Sequence, residues 1–353
     1  MPTPQLFHHQ QEFQLESGAT LPGFQLAYTT YGTLNPQRSN VVWVCHALTG
    51  SSDFTDWWCD LFGEDKFYDP REWFVICANT LGGCYGSTGP LSINPKTLQP
   101  YFHTFPQFTN RDVVRAFDLL RQELELERIH TLIGGSLGGQ QALEWALVQP
   151  DVFERLVHVA SNARHSPWGI AFNETQRMAI RQDPSWESST ANAGKEGMKT
   201  ARAIAMLSYR HYKTYNESQQ EPGHSITEDF RAASYQVYQG EKLAQRFNAY
   251  TYWLLSKAMD SHNVGRDRGG VEKALTQLKP RTLIVGVNSD LLFPVEEQYF
   301  LHEHVESSSF YLINSSYGHD GFLVEFEQLT EAIKDFYQQD KLKAALNYEE
   351  QQW

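Results

Sequence analysis

The stretch Ile133-Gly134-Gly135-Ser136-Leu137-Gly138-Gly139-Gln140-Gln141-Ala142-Leu143 places a serine where a strand turns sharply into a helix. The run Thr131-Leu132-Ile133 leads in. Ala142, Leu143, Ala146 and Leu147 lead out at spacings that keep an apolar stripe on one side of a helix. Gly134-Gly135-Ser136-Leu137-Gly138 fits the G-x-S-x-G nucleophile elbow, where glycines flank the serine because side chains would collide in so tight a turn.

The rest of the chain supplies a matching frame. Phe24 to Tyr31 alternates as a half-buried strand, expected antiparallel and near one edge. Val41-Val42-Trp43-Val44-Cys45 and Phe74-Val75-Ile76-Cys77-Ala78 are continuous apolar runs, as in strands covered on both faces of a parallel sheet. Similar runs recur at Leu156 to Ala160, Thr282 to Val287 and Phe310 to Ile313, and helical periodicity is read over Arg111 to Leu126 and Phe322 to Tyr337. Buried strands alternating with helices predict an α/β, mostly parallel, doubly wound sheet. From His165 to Gly270 the periodicity is helical and rich in long aromatics, among them Trp168, Tyr209, Tyr212, Tyr235, Tyr238 and Trp253. That segment is expected to form a helical lid, residues 165–270, over the carboxyl ends of the strands, with residues 1–164 and 271–353 forming the core.

Length and composition are those of a globular chain: 353 residues, 41% hydrophobic and 20% charged. With 42 acidic against 29 basic residues the formal net charge is −13, which disfavours nucleic-acid or anionic-membrane partners but leaves room for a local basic pocket. Met1 to Glu12 carries no apolar core of signal-peptide length and no stretch reaches membrane-span length, so a cytoplasmic location is expected. Cys45, Cys59, Cys77 and Cys84 lack paired metal or redox spacing, and Cys45 and Cys77 read as buried thiols. Glu349-Glu350-Gln351-Gln352 reads as a solvated tail.

A serine hydroxyl needs a histidine to take its proton and a carboxylate to orient that histidine, in the chain order serine, acid, histidine on such a sheet. Asp290 follows the run Thr282 to Val287, and His319 follows Phe310 to Ile313. One oxyanion donor should be the N–H after the nucleophile, Leu137, and the other an N–H of the early loop His46-Ala47-Leu48-Thr49-Gly50, best placed at Leu48. The glycine-rich Asn79 to Pro90 lacks a following helix and is read as a shaped turn bordering the pocket, not a phosphate loop. Cys84 is set aside as nucleophile because Ser136 has the elbow. His302-Glu303-His304 is set aside as a metal site because a spacing of two points the imidazoles to different sides of a helix.

These blocks, together with Ser289-Asp290-Leu291-Leu292-Phe293-Pro294 and Tyr317-Gly318-His319-Asp320-Gly321-Phe322-Leu323, resemble the homoserine O-acetyltransferase family over about residues 40 to 325. The resemblance implies the α/β-hydrolase fold, a helical lid pairing subunits into a homodimer, and ping-pong transfer of an acyl group from acetyl-CoA to L-homoserine in methionine biosynthesis. No permanently bound cofactor and no metal is implied. Ser136 is then the acyl carrier, His319 the base and Asp290 its orienting acid. Arg202 and Tyr209, seven residues apart on one helical face, line the substrate site, with Arg202 suited to the homoserine carboxylate and Asp320 to its amino group. On the residues alone, an ordinary surface ion pair is the favoured reading of Arg202, and a loop or helix cap is the alternative for Asp320. Two features depart from the family wording. Leu137 and Gln140 stand where methionine is more frequent, and Pro184 to Gly197 lacks the compact glycine-and-proline pattern of the lid. A succinyl donor, a serine acceptor, or a serine esterase on the same scaffold remain open from the sequence.

Overall fold

The computed structural model describes residues 4–350; Gln351 and Gln352 of the expected tail lie outside the described residues. Eight strands form the main sheet: β1 Gln5–His9, β2 Phe24–Tyr31, β3 Val41–Cys45, β4 Phe74–Ala78, β5 Ile129–Gly135, β6 Phe153–Val159, β7 Arg281–Val287 and β8 Ser308–Ile313. Their spatial order is β1-β2-β4-β3-β5-β6-β7-β8. From β4 to β8 every pairing is parallel, while β2 pairs antiparallel with both β1 and β4. This is the α/β-hydrolase arrangement. The antiparallel reading of β2 holds, but β2 lies one place inside the edge. The edge strand is β1, Gln-Leu-Phe-His-His, of which only Phe7 is buried, so its composition gave no strand-like run.

The continuous apolar runs follow from burial on both faces. Along β3, Trp43 joins Leu132, Leu156 and Ile284 in the core on one side, whereas Val42 and Val44 join Ile133, Val157 and Val285 on the other. The first side is covered by helices α1 (Asn110–Glu123) and α2 (Leu137–Val148), whose Trp145 meets Trp43 edge to face at 4.9 Å. The second side is covered by Phe54 and Trp58 and by Leu329, Ile333 and Phe336 of the C-terminal helix.

Helix α1 starts on a capping box, in which the Thr109 hydroxyl accepts from Asp112 N and the Asp112 carboxylate accepts from Thr109 N. It ends earlier than the periodicity of Leu124 and Leu126 suggests, because Glu125 adopts a left-handed φ of 52°. Between β6 and β7 lie five substantial helices: α3 (Pro167–Arg181), α4 (Lys195–Tyr209), α5 (Tyr212–Ser218), α6 (Arg231–Ala244) and α7 (Ala249–Asp260). After β7, α8 (Val295–His304) leads to β8. No helix of the described residues is long and apolar enough to cross a membrane.

Candidate active site

Ser136 sits between the last residue of β5 and the first of α2, with φ 57° and ψ −125°. A non-glycine residue in that region is strained, and the surrounding packing enforces it. A Cβ on Gly134 would come within 2.2 Å of Gly138 O, and one on Gly138 within 2.0 Å of Cys45 O. Both contacts are with backbone, so neither can be relieved by a rotamer change, and the two glycines are what permit the turn. Ser136 N donates to Val159 O at 3.0 Å, and Ser136 O accepts from the Ser161 hydroxyl at 2.7 Å, tying the bend to the end of β6.

The ends of β7 and β8 bring the partners in. His319 Nε2 lies 2.9 Å from Ser136 Oγ, and His319 Nδ1 lies 2.6 Å from Asp290 Oδ2. A carboxylate oxygen only accepts, so Nδ1 carries the proton and Nε2 presents its lone pair to the serine hydroxyl. Asp290 Oδ1 accepts from Leu292 N at 2.8 Å and Phe293 N at 2.9 Å, which fixes the carboxylate on its own loop. The Phe293 ring stacks on the imidazole at 5.1 Å and Phe322 meets it edge on at 5.3 Å. Ser136, Asp290 and His319 are each less than 10% exposed, at 6%, 6% and 4%. A hydroxyl, an imidazole and a carboxylate connected in that order make Ser136 able to attack an acyl carbon while His319 takes its proton.

Leu48 and Leu137 are both buried. The turns that carry them are closed by Gly50 N donating to Ala47 O at 2.9 Å, and by Gly139 N and Gln140 N donating to Ser136 O. Those bonds leave the Leu48 and Leu137 amides outside the turns' own pairing. The glycine-rich segment from Asn79 to Pro90 braces this region: Asn79 Oδ1 accepts from Ser52 N at 2.7 Å, and the Ser87 hydroxyl donates to Asn79 O at 2.6 Å.

On the insertion, the Arg202 guanidinium lies over the Tyr209 ring, 5.2 Å from its centroid. Arg202 Nε is buried with no hydrogen-bond partner, and Arg202 makes no ion pair among the described residues. The surface ion pair open from the sequence is therefore not what the side chain does. A buried, unpaired guanidinium nitrogen is costly unless an anion arrives to meet it. Tyr209 also approaches His319, ring centroids 5.8 Å apart. Asp320 is engaged: its Oδ2 accepts from Arg210 Nε at 2.6 Å. It makes no side-chain cap bond to the helix that follows. No pattern in the sequence marks Arg210, although it ends the same segment that holds Arg202 and Tyr209. The loop before His319 is pressed on that segment, since a Cβ on Gly318 would lie 2.8 Å from His211 N.

Gln140, where the family wording favours methionine, is fully buried and polar for a reason. Asn110 Nδ2 donates to Gln140 Oε1 at 3.2 Å, Gln140 Nε2 donates to Asn162 Oδ1 at 3.0 Å, and Asn162 Nδ2 donates to Glu297 Oε2 at 2.7 Å. Burial raises the Glu297 carboxyl above its ordinary range. These partners come from four separate segments, so no local pattern could have revealed them. Burial pushes the Cys84 thiol up to about 12, which keeps it protonated near neutrality, and all four cysteines are free. His302 Nδ1 pairs with Ser308 Oγ and His304 Nδ1 with Phe300 O, and no His, Cys, Asp or Glu cluster fit for a metal occurs among the described residues.

A family model for the alpha/beta hydrolase fold matches residues 40–326. The chain is 52% identical over 335 residues, 95% of each chain, to a homoserine O-acetyltransferase of Cyclobacterium marinum. The crystal structure of homoserine O-acetyltransferase from Bacillus anthracis is similar with a TM-score of 0.88 at 26% identity, over 95% of this chain and 97% of that one. The crystal structure of esterase E22 gives the same TM-score, 0.88, at 24% identity, over 95% of this chain and 100% of that one, a likeness of fold alone.

Proposed function

We propose that this chain, which belongs to the homoserine O-acetyltransferase family within the α/β-hydrolase fold, moves an acetyl group from acetyl-CoA to the hydroxyl of L-homoserine through an acyl-Ser136 intermediate. The observation that carries the reading is the 52% identity to the Cyclobacterium marinum enzyme, which extends over 95% of both chains and so includes the insertion as well as the triad. The insertion decides the acceptor, because the triad alone would serve an esterase equally well.

In the first half-reaction, His319 Nε2 takes the Ser136 proton as Oγ bonds to the thioester carbon. The tetrahedral oxyanion meets the amides of Leu48 and Leu137, the C–S bond breaks, and His319 returns the proton to the CoA thiolate. In the second, His319 takes the proton of the homoserine hydroxyl, the alkoxide oxygen bonds to the acyl carbon, and the bond to Ser136 Oγ breaks as that oxygen regains the proton. Asp290 keeps the imidazole in the tautomer both steps require and stabilises the imidazolium. Water competes with the alcohol, so the site must hold homoserine better than water. Arg202, with its unpaired Nε, supplies the carboxylate contact, stacked on Tyr209; Asp320 supplies the ammonium contact, with Arg210 orienting it.

Helices between residues 165 and 270 act as the lid in this reading, and a homodimer forms through them. Leu207, Val237 and Tyr238 on α4 and α6 are 57%, 67% and 56% exposed in the single chain, an apolar surface suited to a second copy. The place of action is the cytoplasm and the role a step of methionine biosynthesis.

The test measures thiol release from acetyl-CoA with and without homoserine, together with O-acetylhomoserine by mass spectrometry. Release that requires homoserine, with stoichiometric ester, supports the transferase. Release at the same rate without it makes the protein a hydrolase. Running succinyl-CoA and serine as alternatives in the same assay fixes donor and acceptor.

A further inference from the structure

His46 lies just before the Leu48 amide and belongs to neither the triad nor the lid contacts. It is 4% exposed, and both ring nitrogens are engaged. Nδ1 is 2.8 Å from Ala47 O, while Nε2 is 3.1 Å from Thr80 N and 3.1 Å from Thr80 Oγ1. A backbone N–H only donates, so Nε2 is the acceptor. A carbonyl oxygen only accepts, so Nδ1 carries the hydrogen. The two bonds select a single neutral tautomer. Burial holds the ring neutral too, bringing it from its ordinary range to about 4.

Ala47 O and Leu48 N belong to one peptide unit. That unit is planar and trans, with no cis bond among the described residues, so its C=O and N–H point in opposite directions. Ala47 O accepts from His46 Nδ1 and also from Gly50 N, at 2.9 Å, on the same side. Holding the oxygen twice aims the Leu48 N–H the other way. Leu48 is then the second residue of a turn running from Ala47 to Gly50, a position whose N–H the turn itself does not use. The turn is held from a third direction by Arg246, whose guanidinium donates to Thr49 O at 2.7 Å. The loop lies against the elbow, since Gly138 can carry no Cβ beside Cys45 O.

We propose that His46 is a positioning residue for the oxyanion site: its Nδ1–H orients the Ala47–Leu48 peptide so that the Leu48 amide faces the acyl oxygen, and Thr80 N locks the tautomer that allows this. The proposal rests on the reading of Leu48 as an oxyanion donor, and it explains why the glycine-rich segment after β4 is built against the loop after β3.

Two substitutions separate the two ring nitrogens. Asparagine places an NH2 near the position of Nδ1, so His46→Asn retains the bond to Ala47 O and loses the one to Thr80 N. Glutamine reaches the position of Nε2, so His46→Gln retains the Thr80 bond and loses the one to Ala47 O. With p-nitrophenyl acetate, acylation of Ser136 is expected to fall roughly 10- to 100-fold in His46→Gln and by no more than about 5-fold in His46→Asn, against the roughly 100-fold or larger loss typical of deleting a donor. The KM should change little. Affinity for a trifluoromethyl ketone that adds to Ser136 should fall by the same factor as the rate. The pH midpoint should stay in place, since His319 is the base. Equal losses in the two variants, or a loss confined to melting temperature, overturn the proposal. Nitrogen-15 spectra of the unmodified protein give an independent check that needs no variant: a protonated Nε2 in His46 at neutral pH also overturns it. Because p-nitrophenyl acetate acylates any competent serine, this outcome is distinct from the homoserine dependence that tests the transferase reading.

Discussion

Four buried histidines should make this protein sensitive to mild acid. Desolvation holds His46 and His165 down to about 4 and His158 and His262 down to about 3, against about 6.5 in an unfolded chain. Each is neutral in the folded protein at pH 5, whereas unfolded histidine is mostly protonated there. A lowered folded value means that the stabilisation is complete above pH 6.5 and is lost as the pH falls from there toward the folded values. Between pH 7 and pH 5 linkage gives on the order of 2 kcal/mol per histidine, so the four together cost several kcal/mol, a large share of the stability of a typical domain. Half-buried His130 acts in the same direction. Asp112, Asp260 and Glu297, raised chiefly by burial, act against it, because they take up protons in the folded state before the unfolded one. Urea unfolding followed by tryptophan fluorescence at pH 7, 6 and 5 reads the slope directly. The midpoint is expected to drop continuously toward unfolding near pH 5. His158 gives the internal control, because neither ring nitrogen has a partner, so His158→Leu keeps the burial and should make the slope shallower. A midpoint independent of pH between 7 and 5, or an unchanged slope in His158→Leu, would show that the buried histidines do not set the acid sensitivity.

Asp290→Asn should keep the fold, because an amide oxygen can still accept from Leu292 N and Phe293 N, yet it disfavours the tautomer His319 needs; kcat is expected to fall roughly 10⁴-fold with circular dichroism unchanged, and a loss below tenfold would remove Asp290 from its role. Arg202→Ala should raise the KM for homoserine by roughly 10- to 100-fold, the range of a charge-assisted hydrogen bond, while leaving a simple alcohol acceptor nearly unaffected; equal losses with both acceptors would count against the carboxylate contact.

Features that depend on local chemistry are legible along the chain. Continuous apolar runs marked strands buried on both faces, since Val42 and Val44 face one core and Trp43 the other. The glycines around Ser136 marked a bend that admits no side chain, and the chain order of Ser136, Asp290 and His319 suited the sheet. The sequence did not mark β1, whose polar composition follows from an edge position with only Phe7 buried. Tertiary structure decided which groups meet. His319 reaches Asp290 across 29 positions and Ser136 across 183, distances set by the order of β5, β7 and β8 in the sheet. It also decided what each polar group is left to do. Arg202 holds a buried Nε that is left unpaired, Asp320 is held by Arg210, Gln140 belongs to a buried amide chain, and His46 is committed to a single tautomer. Periodicity and spacing record how a residue faces solvent or core along its own segment. Pairing between side chains depends on where separate segments pack, and at the bend that holds Ser136 that packing brought in His319 and Asp290.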